Sequence, residues 1–217
     1  METAVGFPGR GALTLEMKKL IKNGDILFRL SDARGPFNLP FMKFVAKATK
    51  SEFTHAAIAY WDGGELYVME ATDIGMMVYR FVDWLAFCLK EKFQVWRSKN
   101  GLLDFEETIL MQEIKRIADL DPDYDFNFND QDKFYCTELV AYLYAKIGTP
   151  LQFPKLIEEV VGKTMARVIM GLNSVYSWLT KGKVALPVDG RFFYVGNREN
   201  GGLMSSNWIS MVYEHGR

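Results

Sequence analysis

Only two cysteines, Cys88 and Cys136, occur in 217 residues. That is too few for a disulfide framework, and they form neither a CxxC pair nor a metal-ligand spacing. Such scarcity fits a reducing compartment. Histidine is as scarce, with His55 and His215 the whole supply, so chemistry that needs an imidazole has little choice of where to find it. Charge of one sign is also missing: 26 Lys and Arg stand against 27 Asp and Glu, with a pI near 6.2, which excludes the basic footprint of a nucleic-acid binder. No window reaches 18 uncharged apolar residues, so no transmembrane span is expected, while peripheral contact with lipid stays open. METAVGFPGRGALTLEMKKLIKNGDILF carries no basic stretch followed by an apolar run, and a cytoplasmic protein is expected. Internal repeats and low-complexity blocks are absent too.

What is present is core-forming material. Apolar residues make up 49% and aromatics 14% of the chain, enough for one well-buried domain over residues 1–217. Residues 1–20 are expected to be loosely ordered, with a short helical turn in LEMKKLIKNG that ends at Gly24. DILFRL reads as a strand, PFMKFVAKATK as a helix started by Pro40, and FTHAAIAYWDGGELYVMEAT as a hairpin. VYRFVDWLAFCLK leads from a strand edge into a helix, FQVWRSK alternates like a strand, and LLDFEETILMQEIKRIADL is helical. After the loop DPDYDFNFNDQD, residues Cys136, Leu139, Val140, Leu143, Tyr144 and Ile147 form one helical stripe, closed by Gly148 and Pro150. A helical insert spans about 154–183, and the remaining C-terminal residues alternate like closing strands.

Cys136 is the first residue of its stripe, which places the thiol at a helix N-terminus. Unpaired N–H groups and the positive end of the dipole favour a thiolate there. A nucleophilic thiol needs a base. His55 lies on a strand, whereas His215 lies within the last three residues, where chains fray. The hairpin then supplies a third group. An Asp62-Gly63 turn sets Glu70 opposite His55, and a Gly63-Gly64 turn sets it one diagonal away on the same face, whereas a three-residue turn with a bulge would break this parity. Ala57 and Ala59 share that face and leave room for the cysteine helix to approach. N–H groups at the helix start are suited to a developing oxyanion. Each residue also has a plain structural reading: Cys136 as a packing residue, His55 as a strand histidine, Glu70 as an edge charge. Cys88, within DWLAFCLK, reads as core.

THAAIAY, the following MEAT, and DYDFNFNDQDKFYCTELVAYLY together resemble the permuted papain-like amidases, relatives of NlpC-type cell-wall peptidases and of lecithin:retinol acyltransferase. The resemblance runs from Gly24-Asp25 to about Pro150. It implies an α+β, circularly permuted papain-like (NlpC-type) fold, a small antiparallel sheet packed by helices. It also implies Cys136 as nucleophile, His55 as general base and Glu70 as the group that orients the base. Tyr124, in the Tyr-Asp loop, and Thr137, where relatives often carry serine, are implied supporting residues. The implied activity is hydrolysis or acyl transfer at amide, sometimes ester, bonds through a thioester, with no cofactor and no metal. Its substrate would be peptide-like or an acylated or lipid-linked amino acid. The 154–183 insert lies outside the shared motifs; as a lid, its Val160, Val161, Ile169, Met170, Leu172, Trp178 and Leu179 would suit an acyl chain, and otherwise they pack on the core.

Two other function classes stay open. Asp121, Asp123, Asp125, Asn127, Asn129 and Asp132 fall at positions 1, 3, 5, 7, 9 and 12 of an EF-hand-like calcium loop. Against this reading, position 6 is Phe126 rather than glycine, and position 12 is the shorter aspartate. The other class is a catalytically silent protein that uses the same cleft to hold a ligand.

Overall fold

The computed structural model describes residues 10–30, 46–47, 49–72, 75–88, 92–118, 134–152, 155–168, 170–171, 191–199 and 201–215. In chain order the elements are α1 (Arg10–Leu20), β1 (Ile26–Arg29), β2 (His55–Asp62), β3 (Glu65–Thr72), β4 (Gly75–Arg80), α2 (Phe81–Cys88), β5 (Phe93–Ser98), α3 (Asp104–Ile117), α4 (Cys136–Lys146), β6 (Lys155–Leu156), α5 (Ile157–Val161), β7 (Arg191–Phe192) and β8 (Ile209–His215). Six strands form one sheet in the order β4-β3-β2-β1-β5-β8, and every neighbouring pair is antiparallel. This is the expected α+β architecture. β6 and β7 pair separately.

The period of two along the strands divides the core in two. Ile26, Phe28, Ala56, Ile58, Met69 and Trp96 face α3 and α4, where they meet Leu110, Ile114, Leu139, Val140 and Tyr144. Leu27, Ala57, Ala59, Val68, Phe93 and Val95 face the opposite way, under Leu13 and Met17 of α1 and Phe81, Trp84 and Leu85 of α2. The cysteine helix therefore packs on the Ala56 and Ile58 face. It does not pack on the Ala57 and Ala59 face that residue size suggests; α1 and α2 bring enough apolar surface to cover those alanines themselves.

The N-terminal expectation also changes. Residues 1–9 lie outside the described residues, but Arg10–Leu20 is helix, and buried Leu13, Met17 and Ile21 hold it to the sheet. The PFMKFVAKATK helix lies mostly outside the described residues.

Asp62 pairs with Glu65, and Gly63 and Gly64 are the two turn residues, with φ of 57° and 81°. That left-handed pair is the geometry a two-residue hairpin asks for. Continuing the register puts Glu70 beside Ala57, one diagonal from His55.

The Gly-Asp pair that opens β1 is a junction. Gly24 has φ +81°, and a Cβ there would come within 2.7 Å of the Leu102 side chain. Its carbonyl accepts a 2.7 Å hydrogen bond from the hydroxyl of Tyr144 near the far end of α4. Asp25, fully buried, accepts from the Lys22 N–H and takes two hydrogen bonds from Arg97, at 2.7 and 2.6 Å. α1, β1, β5 and α4 are thereby locked together, and the first turn of α4 is aimed at the opposite end of β1. Because removing one partner of a buried ion pair strands the other charge, Arg97→Met is expected to cost about 3 kcal/mol of stability. A urea unfolding curve reads this as a lower midpoint, partly restored in Asp25→Asn/Arg97→Met.

Candidate active site

Tyr135 has extended backbone (φ −94°, ψ 167°) and caps α4. The first hydrogen bond within the helix runs from Leu139 N–H to the Tyr135 carbonyl. The N–H groups ahead of Leu139 therefore have no acceptor within the helix itself. Cys136 is half-buried, unlike Cys88, which is sealed in the core. The N–H groups of Thr137 and Ala56 favour its ionised form, and the Thr54 carbonyl lies 4.0 Å from Sγ. The thiol thus sits where the helix start meets the start of β2.

His55 is the first residue of β2. Its Nε2 is 2.8 Å from Oε2 of Glu70, and both side chains are almost fully buried. With Nε2 committed to the carboxylate, Nδ1 is the nitrogen left for the hydrogen bond between the imidazole and Cys136. The three residues singled out in the sequence are therefore brought together, Cys136 to His55 to Glu70.

Electrostatics follows the same line. Burial drives the His55 pKa down, but the Cys136 thiolate and the Glu70 carboxylate outweigh both burial and the opposing Arg29 charge, holding it up at about 9. Burial likewise pushes the Cys136 thiol up, and it is overcome by the His55 charge and hydrogen bond together with the Ala56 and Thr137 N–H groups, so the thiol titrates below its ordinary value. Burial raises Glu70 as well, yet His55, Arg29 and the Trp84 indole bring it down to about 2. Carboxylate and imidazolium are both charged across the neutral range, which is the condition for a thiolate–imidazolium pair.

Two neighbours of Glu70 were not foreseen. Arg29, the last residue of β1, donates from Nη2 to Oε1 at 3.3 Å and Oε2 at 3.5 Å, and Trp84 of α2 donates from Nε1 to Oε2 at 3.2 Å. A signal existed for each. An arginine in an otherwise apolar strand needs a buried counter-charge, and a buried indole needs an acceptor.

Thr137 has a structural task, since its Oγ1 donates to the Phe193 carbonyl at 3.0 Å while the Phe193 N–H donates to the Tyr135 hydroxyl at 2.6 Å. The residues flanking Cys136 thus hold Phe193, just after β7, by its N–H and by its carbonyl. Tyr124 and the loop 121–132 lie outside the described residues. His215 ends β8 opposite Phe93 and stacks on its ring at 5.0 Å. In the insert, Val160 and Val161 of α5 are half-buried and Ile157 is buried; Ile169, Leu172, Trp178 and Leu179 lie outside the described residues.

Residues 20–181 match the profile of a family described as permuted papain-like amidase enzymes, YaeF/YiiX, C92 family. The uncharacterized protein YiiX of Escherichia coli (strain K12) is 29% identical over 124 residues, 57% of this chain and 57% of that protein, so the match spans less than two thirds of the relative. Among solved structures, the crystal structure of metalloprotein YiiX from Escherichia coli O157:H7 matches with a TM-score of 0.68 at 21% identity, covering 89% of this chain and 97% of that one. At that identity the likeness concerns the fold.

The lowered thiol predicts its own reactivity. Iodoacetamide is expected to alkylate Cys136 readily at pH 6, well below the free-thiol pKa of about 8.5, while Cys88 reacts slowly. In His55→Ala, Cys136 should need alkaline pH. Peptide mass spectrometry measures both, and equal, slow labelling of the two cysteines in the unmodified protein would contradict the geometry.

Proposed function

The chain belongs to the permuted papain-like amidase family, YaeF/YiiX, C92, and from that membership we propose that it is a cysteine hydrolase of amide bonds in which Cys136 is the nucleophile, His55 the base and acid, and Glu70 the group that orients and charges His55. The observation that carries this reading is the alignment of a thiol at the first residue of a helix with a histidine that favours its ionised form and that itself lies 2.8 Å from a buried carboxylate. A merely structural cysteine has no need of that arrangement.

In the proposed reaction the Cys136 thiolate attacks the carbonyl carbon of the substrate, forming an S–C bond while the C=O π pair moves onto oxygen. N–H groups of the first turn of α4 hold that oxyanion. As the carbonyl re-forms and the C–N bond breaks, the amine leaves with the proton from His55, giving a thioester and a neutral imidazole. Water then attacks the thioester and His55 takes its proton; the C–S bond breaks, releasing the carboxylic acid and restoring the thiolate–imidazolium pair. An amine or alcohol in place of water would turn the second half into acyl transfer. Peptide-like amides and N-acylated or lipid-linked amino acids are the substrate classes this chemistry accepts, with esters as a minor class.

The neighbour described as a metalloprotein raises the question of a metal beside Cys136. The described residues there do not fit one. Both oxygens of Glu70 are engaged by donors, one of them the cationic Arg29, and among the described residues no three His, Cys, Asp or Glu converge to hold an ion.

Cys136→Ala is expected to reduce turnover of an N-acyl amide panel to the uncatalysed background with the fold intact. His55→Ala should lose roughly 10²–10⁴-fold, and Glu70→Gln less than His55→Ala, since orientation and charge support alone are lost. The wild-type chain incubated with an activated acyl donor should gain the acyl mass on the Cys136 peptide. An active Cys136→Ala preparation would end this reading.

A further inference from the structure

Glu70 collects more donors than the proposed chemistry needs. Three elements converge on it: β2 through His55, α2 through the Trp84 indole at 3.2 Å, and β1 through Arg29 at 3.3 and 3.5 Å. Arg29 and Trp84 are both buried. Arg29 is also the direct cross-strand partner of His55. A guanidinium beside an imidazole that must carry a proton is a poor choice, because the two cations repel and the arginine has given up its hydration. Its place is explained by the charge sequence it completes: Arg29 positive, Glu70 negative, His55 positive, Cys136 negative. Without Arg29 the reactive state would bury one net negative charge, and proton uptake is the cheapest relief for a buried carboxylate.

We propose that Arg29, assisted by the Trp84 indole, is a positioning residue that keeps Glu70 ionised with one oxygen turned to His55, so that the Cys136 thiolate persists into acid solution. This rests on Cys136 being the nucleophile, as proposed above. Arg29 acts through Glu70. The other groups facing Glu70 support the assignment: its β4 partner is the uncharged Met77, and the neighbouring acid on α2, Asp83, is exposed and paired with Arg80. Among the described residues, Arg29 is the cation other than His55 that bonds this carboxylate.

The test follows the rate of Cys136 alkylation by iodoacetamide against pH, read on the Cys136 peptide in the full chain, in wild type, Arg29→Met, Arg29→Lys, Glu70→Gln and Arg29→Met/Glu70→Gln. In wild type Glu70 stays ionised down to about 2, so its protonation lies below the working range. Losing Arg29 lets burial lift it, and the acid limb is expected to move to higher pH by about one unit or more. Arg29→Lys, which keeps the charge, should return most of that shift. In the Glu70→Gln background, removing Arg29 should move the limb by less than half as much, because no carboxylate remains to be held. Should Arg29→Met not fold, Trp84→Phe keeps a ring, removes one donor and is expected to shift the limb the same way by a smaller amount. An acid limb that stays in place in Arg29→Met while only the plateau falls, or an equal shift with and without Glu70, overturns the proposal. Both outcomes with a reactive wild-type Cys136 count against Arg29 alone; a wild-type Cys136 that titrates as a free thiol removes the functional reading beneath it as well.

Discussion

A carboxylate with 2% of its surface exposed is the constraint around which this molecule is arranged. An ion so deeply buried is untenable unless partners replace its water. The chain meets that demand from three directions, with a strand arginine, a helix indole and an imidazole. Each donor in turn dictates its own element. Arg29 ends β1, Trp84 fixes how α2 lies across the sheet, and His55 begins β2. A carboxylate satisfied in this way has a depressed pKa, and it stays ionised beside His55, where its charge favours the imidazolium. In the proposed reading, the reactivity of Cys136 follows from how Glu70 is solvated by protein.

The sheet's two faces separate the labour. Glu70, His55 and Arg29 belong with the layer under α1 and α2, whereas α4 packs on the other face through Leu139, Val140 and Tyr144. Thiol and imidazole meet because both lie at ends: Cys136 at the start of α4, His55 at the start of β2. At that end of the strands, where β2 begins, the Cys136 sulfur comes within 4.0 Å of the Thr54 carbonyl. The Ala56 N–H favours the ionised sulfur there. The Tyr144–Gly24 and Arg97–Asp25 ties at the other end keep α4 from sliding along the sheet, and so hold Sγ in register with the ring.

The parts of this arrangement that depend on local chemistry could be read in the sequence. The apolar stripe from Cys136 to Ile147 specified a helix and its first residue, and Asp-Gly-Gly specified a tight hairpin that left Glu70 on the face of His55 under either turn. Gly24 marked the end of the first helical segment, and DILFRL the strand after it. What stayed hidden depends on which layer covers which face. Ala57 and Ala59 are small enough to admit a helix, but nothing local says that α1 and α2 rather than α4 would lie there. An arginine in an apolar strand signals that Arg29 needs a counter-charge but not which one: its partner is 41 residues away, and only the sheet order β3-β2-β1 brings the two within reach. The helicity of Arg10–Leu20 depends on tertiary burial of Leu13 and Met17, which composition alone does not reveal.

The chemistry and the choice of substrate are built from different parts of the chain. Glu70, His55 and Arg29 sit on consecutive strands of the central sheet, rigid and closed to water. Phe193, just after β7, is instead attached at the flanks of Cys136, its N–H donating to the Tyr135 hydroxyl and its carbonyl accepting from Thr137. The hold on Phe193 and the donors to Glu70 therefore come from different residues, so either set can change without breaking the hydrogen bonds of the other. A serine hydroxyl at position 137 could donate to the Phe193 carbonyl as the threonine does.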